Sequence, residues 1–198
     1  MAVPLYGLVL AGGKSRRMQQ DKAFLQYHTR PQYQHTFQLL QEVCPQVYFS
    51  CRPEQVTVFQ KLSPEISLIP DRYEDVGPMA ALLSAFREHE VAWLTLACDM
   101  PLMDVPTLQH LLHKRDPSAT ATTYQLKGND FPETMCTIWE PTAYSLLQEA
   151  FQAQQYSLTR LLKQQNVRLL EPTEADALKN INTPEAYAEV RGRLKGGG

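Results

Sequence analysis

The sequence has no CxxC pair, no apolar run of membrane-spanning length, no internal repeat and no large excess of either charge. Each of these gaps removes a class of protein. The four cysteines (Cys44, Cys51, Cys98 and Cys136) are scattered without zinc-ligand spacing, so free, mostly buried thiols in a reducing compartment are expected. No charged segment precedes the first apolar stretch, which soon meets Gly12 and Gly13, so neither a secretory signal nor a spanning helix is expected. A net charge of −2 supplies no bulk attraction to nucleic acid. With 43% hydrophobic and 20% charged residues in 198, the chain has enough apolar material for a core. The expectation is a cytoplasmic protein with neither nucleic acid nor membrane as partner.

The apolar pattern alternates between strand-like and helix-like segments. Residues 6–10, 47–51, 67–69 and 93–97 read as short buried strands, and residues 36–43 and 78–88 as helices between them. In the second helix Met79, Leu82, Leu83 and Phe86 share a face. Further on, residues 119–125 and 134–139 read as strands joined by a polar turn at Lys127 and Gly128, with helices over 142–152 and from Ser157. Residues 167–170 suggest a late strand, and Thr183 with Pro184 opens a last helix as cap and first residue. Such alternation predicts a mostly parallel sheet covered on both faces. A single domain over 1–195 is expected, with 196–198 as a glycine tail.

Chemistry concentrates after the first strand, where Leu10, Ala11, Gly12 and Gly13 lead into Arg17, Asp21 and Lys22. The spacing is neither GxxxxGK[ST] nor GxGxxG, which excludes the P-loop and the dinucleotide fingerprint. Paired glycines nevertheless let backbone N–H groups approach phosphate oxygens, and Arg17 and Lys22 supply charge for a polyphosphate. Asp71 and Asp99 each follow the end of a strand, so both are expected on the rim that carries the glycines. A hard Mg²⁺ ion bridging phosphates needs only one or two carboxylates, and Asp99, after the most apolar strand, is the expected ligand. Gly77 and Pro78 open a helix whose N-terminus suits an anion.

The segment Leu10-Ala11-Gly12-Gly13-x-Ser15-x-Arg17-Met18, followed by Asp21-Lys22-Ala23, resembles the signature loop of the molybdenum cofactor guanylyltransferase family. Ile69-Pro70-Asp71, Gly77-Pro78-Met79-Ala80, Cys98-Asp99-Met100-Pro101 and Asn180-Ile181-Asn182-Thr183-Pro184-Glu185 resemble further motifs of that family in the same order. The resemblance implies an α/β, three-layer, Rossmann-like nucleotidyltransferase fold of glycosyltransferase-A type. It implies transfer of GMP from GTP to the phosphate of molybdopterin or molybdenum-molybdopterin, with Mg²⁺, releasing pyrophosphate. By position, Leu10 to Gly13 would contact the nucleotide, Lys22 the triphosphate and Asp71 the guanosine, while Asp99 would hold Mg²⁺. Asn182 would lie near the product phosphates and the second substrate, and Arg17 with Lys22 would stabilise the departing pyrophosphate. A molybdenum insertase and molybdoenzyme chaperones are the implied protein partners. Tyr124, Asn129 and Asp130 stand where relatives close over the second substrate.

Two positions depart from the family pattern. Gln19 stands where a glycine usually follows Arg-Met, and Cys51 where an asparagine often precedes Arg52. A thiol lacks most of an amide's hydrogen-bonding capacity, so an altered guanine or ribose contact is expected at 51. Two other readings share the motif set: a relative using CTP or a sugar or polyol phosphate acceptor, and an inactive nucleotide-binding homologue. Cytidylyl relatives tend to carry Ala-Ala-Gly where this chain has Ala11-Gly12-Gly13, which favours GTP.

Overall fold

The computed structural model describes residues 3–13 and 21–196. Seven strands form one sheet: β1 (Leu5–Leu10), β2 (Val47–Cys51), β3 (Ser67–Pro70), β4 (Ala92–Ala97), β5 (Ala121–Tyr124), β6 (Cys136–Trp139) and β7 (Val167–Leu170). Their spatial order is β3-β2-β1-β4-β6-β5-β7. β6 alone runs against its neighbours; every other pairing in the sheet is parallel. The expected α/β class with a mostly parallel sheet is therefore what forms.

The two faces of the sheet hold two cores, because alternate strand residues point to opposite sides. One core gathers Val9, Phe49, Leu94, Leu96 and Ile138 under α1 (Gln32–Gln41), α2 (Val56–Leu62) and α4 (Val105–His113). The other gathers Leu8, Trp93 and Trp139 under α3 (Pro78–Glu88), α5 (Ala143–Gln152) and α6 (Leu158–Lys163). β4 is buried along its whole length, as expected of a central parallel strand covered on both faces. Each fully buried Trp or Leu there contributes roughly 1.5–3 kcal/mol of transfer free energy. In α3 the stretch from Met79 to Phe86 is wholly buried, and its one polar member, Ser84, donates to the Ala80 carbonyl and accepts from Arg72 N–H.

Differences from the expected elements have local causes. α1 begins four residues before the expected start, directly after Pro31, because Gln32 and Tyr33 are buried although the pattern there looks polar. Tyr33 stacks edge-on against Phe49 and Phe59, which the linear pattern does not reveal. α2 was not expected at all; Phe59 is its only buried residue, so the sequence carries no amphipathic stripe. Among the described residues no helix is long and apolar enough to cross a membrane.

A third, smaller cluster matters for function. Leu25, Tyr27, Ile181 and Val190 pack together, joining the segment after the glycine loop to α7 (Pro184–Gly196). Tyr187 in α7 stands edge-on to Tyr27 at 4.8 Å and donates to the Gln26 carbonyl. This packing holds the C-terminal segment over the carboxyl edge of the sheet.

Candidate functional site

The order of connections reverses between β1 and β4, and crevices in open α/β sheets form beyond the carboxyl ends of strands at such a point. A cleft of about 740 Å³ lies there, in the usual range for small-molecule sites. Leu10, Ala11, Gly12 and Gly13 form its floor beside Asp71, Asp99 and Lys22. The residues expected from sequence to share one rim do so.

Gly12 has a specific steric reason to lack a side chain. A Cβ there would stand 2.6 Å from Asp71 Oδ2, closer than any carbon and oxygen tolerate. At Gly13 a Cβ would meet nothing within 4 Å. The glycine pair is thus asymmetric: the first makes room for Asp71, the second faces open space.

Lys22 opens a short helical turn, Lys22–Phe24, capped by Asp21, whose Oδ1 accepts Ala23 N–H at 3.1 Å. Its ammonium donates to Asp99 Oδ2 at 3.1 Å and to the side-chain oxygen of Asn182. Asn182 is brought in because Ile181 N–H donates to the Asp99 carbonyl at 2.8 Å, while the Ile181 side chain is fully buried. Three residues from distant parts of the sequence therefore meet at one ammonium group. Asp99 Oδ1 is buried and has no hydrogen-bond partner. A buried carboxylate oxygen left in that state requires an explanation, and a cation ligand supplies one.

Asp71 is held from below by Ser50, whose hydroxyl donates to Oδ1 at 2.5 Å. Burial pushes its carboxyl up to about 6; the Ser50 hydrogen bond and the Arg52 guanidinium pull the other way, and Glu54 adds to the rise. Because the folded value lies above the unfolded one, this group's contribution to stability is greatest below pH 4 and is lost as pH rises towards 6. Asp71→Asn keeps an acceptor for Ser50 and removes the ionisation. Thermal melts from pH 4 to 8 should therefore show the variant matching the parent at pH 4 and exceeding it above pH 6, by about 2 kcal/mol. Parallel curves across that range would refute the burial of an ionised Asp71.

The N-terminus of α3 also opens on the cleft, through Gly77, Pro78, Ala80 and Ala81. Gly77 has φ +61° and ψ −144°, a conformation that side chains avoid.

Arg17 and Gln19 lie outside the described residues. Cys51 does not line the cleft: it is fully buried in the core among Phe49 and Phe59, with its thiol pushed up to about 12 by burial. No guanine or ribose contact is therefore made through this side chain, in keeping with the departure from the family's asparagine at 51. Tyr124 likewise faces inward, donating to the Thr107 carbonyl at 2.8 Å and pairing with His110 Nδ1 at 3.0 Å. It is scaffold under the rim and does not reach the cleft. Asn129 is exposed and accepts Phe131 N–H within its own loop.

Sequence reasoning placed Asp21 and Arg52 within the family motifs but gave neither a role, and it did not single out Gln55. Arg52 directly follows a strand, at the same edge as Asp71 and Asp99, and that position was the available signal. No group of three or more His, Cys, Asp or Glu side chains fit to hold a metal occurs among the described residues. A cation held through Asp99 would therefore take most of its ligands from phosphates and water.

Comparison with known proteins agrees with this geometry. Residues 7–169 match the MobA-like NTP transferase domain. The chain is 35% identical to the molybdenum cofactor biosynthesis bifunctional protein of Synechocystis sp. over 94% of its own length, and spans about half (54%) of that relative. It is 30% identical to the molybdenum cofactor guanylyltransferase of Pseudomonas entomophila, covering 93% of this chain and 97% of the relative. The crystal structure of molybdopterin-guanine dinucleotide biosynthesis protein A from Archaeoglobus fulgidus has the same fold, with TM-score 0.82 at 22% identity over 96% of this chain and 99% of that one. Sheet order, cleft and sequence thus agree, and the chain belongs to the MobA-like NTP transferase family.

Proposed function

We propose that this protein transfers GMP from GTP to the phosphate of molybdopterin or its molybdenum-loaded form. The observation that carries the proposal is the meeting of Lys22, Asp99 and Asn182 at one ammonium group, beside the Gly12 and Gly13 backbone. The names of the Synechocystis and Pseudomonas relatives support the choice of substrates.

An acceptor phosphate oxygen attacks the α-phosphorus of GTP; a new P–O bond forms, the α–β bridging bond breaks, and pyrophosphate leaves. The acceptor phosphate is already ionised at neutral pH, so no general base is needed. The protein's work is positioning and charge compensation. Leu10 to Gly13 lay backbone along the nucleotide, and the N-terminus of α3 faces the same space with the positive end of its dipole. Asp71 lies on the guanosine side. Lys22 places its charge against the triphosphate, and Asn182 offers its amide to the product phosphates. Arg17 adds charge for the leaving pyrophosphate. Asp99 Oδ1 is the oxygen that would hold Mg²⁺, which when bound offsets charge on the reacting phosphates. A molybdenum insertase upstream and molybdoenzyme chaperones downstream are the corresponding protein partners.

The test is pyrophosphate release by the purified protein with Mg²⁺ and each of GTP, CTP, ATP and UTP, with and without molybdopterin. Release with GTP only when molybdopterin is present is expected. Release with CTP in preference to GTP, or none with any nucleotide, would refute the proposal.

A further inference from the structure

Arg52 spans the base of the nucleotide loop. Its Nη1 donates to the Gly12 carbonyl at 2.8 Å and to the Gly13 carbonyl at 3.0 Å. Its Nη2 stands 3.8 Å from Asp21 Oδ2, and its Nε donates to Glu54 Oε1 at 2.6 Å. The neighbouring Gln55 completes the arrangement, accepting Arg52 N–H at 2.9 Å and donating to Asp21 Oδ2 at 2.6 Å. Gly13 and Asp21 are far from Arg52 in the sequence, so one guanidinium ties the end of the first strand's glycine pair to the residue that caps the Lys22 turn.

Two physical consequences follow. Carbonyl oxygens are the negative ends of the peptide dipoles, and those of Gly12 and Gly13 would repel a polyphosphate if they faced it. Drawn onto Arg52, they are turned aside. Asp21 caps the turn that presents Lys22, so the contact at the other end bears on where the ammonium stands. A planar fork with several N–H groups can serve both carbonyls and a carboxylate at once, which a lysine ammonium on a flexible stem cannot do with the same geometry.

We infer that Arg52 is a positioning residue for the triphosphate: it holds the Gly12 and Gly13 carbonyls and the Asp21 cap so that the Gly12–Gly13 backbone and Lys22 accept phosphates. This rests on the nucleotidyltransferase reading above. The discriminating measurement is binding of GTP and of guanosine to the parent, Arg52→Lys and Arg52→Met, by calorimetric titration, alongside thermal melts and steady-state kinetics.

GTP affinity should fall about tenfold in both variants, as charge-assisted hydrogen bonds to the loop are lost, while guanosine affinity is unchanged. In kinetics, KM for GTP should rise more than kcat falls, and lysine should fail to rescue. Equal weakening of GTP and guanosine would mean a direct base contact or a general structural role, and would overturn the inference. Unchanged GTP affinity, or full rescue by lysine, would overturn it as well. If the parent prefers another triphosphate, the same comparison with that nucleotide and its nucleoside keeps the inference testable while the GTP assignment alone falls. If the parent binds no triphosphate, both fall.

Discussion

Replacing Asp99 by alanine should lower guanylyl transfer by about 10³-fold, the scale seen when one preorganised electrostatic group is removed from a reacting phosphate or oxyanion. The fold should survive. The Lys22–Asp99 pair is partly exposed, with side chains 19% and 20% accessible, so its loss costs on the order of 1 kcal/mol or less. The backbone link from Ile181 to the Asp99 carbonyl does not involve the side chain and stays in place. Asp99→Asn provides a second case with nearly the same shape, and it should be almost as inactive because an amide oxygen is a far weaker cation ligand than a carboxylate. Single-turnover assays at saturating GTP with matched circular dichroism spectra are the appropriate comparison. Turnover within tenfold of the parent in both variants would remove Asp99 from the chemistry.

The second large effect is expected from Gly12→Ala. The added methyl would meet Asp71 Oδ2 at 2.6 Å, and Asp71 is itself held by Ser50, so either the loop or the carboxylate must move. Overpacking of this kind typically costs about 1–3 kcal/mol. Because the displaced groups border the cleft, GTP affinity should drop by at least about tenfold, the equivalent of roughly 1.4 kcal/mol. Gly13→Ala is the internal control for stability: its Cβ meets nothing within 4 Å, and its melting temperature should match the parent. Equal melting temperatures for the two variants would show that Asp71 yields freely, and that the close approach at Gly12 constrains nothing.

Much of this is legible in the sequence. Strands with a continuous apolar run, such as β2 and β4, stood out because burial on both faces removes polar interruptions. Asp71 and Asp99 could be placed on one rim because every parallel strand delivers its C-terminal residue to the same edge. What escaped was whatever depends on side chains meeting across long sequence distance. The contact of Asn182 with Lys22 rests on a backbone bond from Ile181 to Asp99, and no local pattern announces it. The role of Arg52 is hidden because an arginine after a strand has many ordinary uses, and its bonds to Gly12 and Gly13 lie about forty residues back in the chain. The place of Cys51 is hidden for a related reason. Its number in the motif suggested the cleft, whereas the pleat of β2 turns it into the core.

The packing of α7 against Tyr27 bears on how the protein comes into being. On the ribosome, β1 to β7 and all the helices between them emerge before residue 180, so the sheet and the glycine loop can assemble while Asp99 still lacks its backbone link to Ile181. Residues 181–190 emerge later than the sheet, and their docking completes the partnership around Lys22. A nascent chain therefore passes through a nearly finished scaffold whose corner around Lys22 is still open, and that corner closes only once Ile181 has emerged.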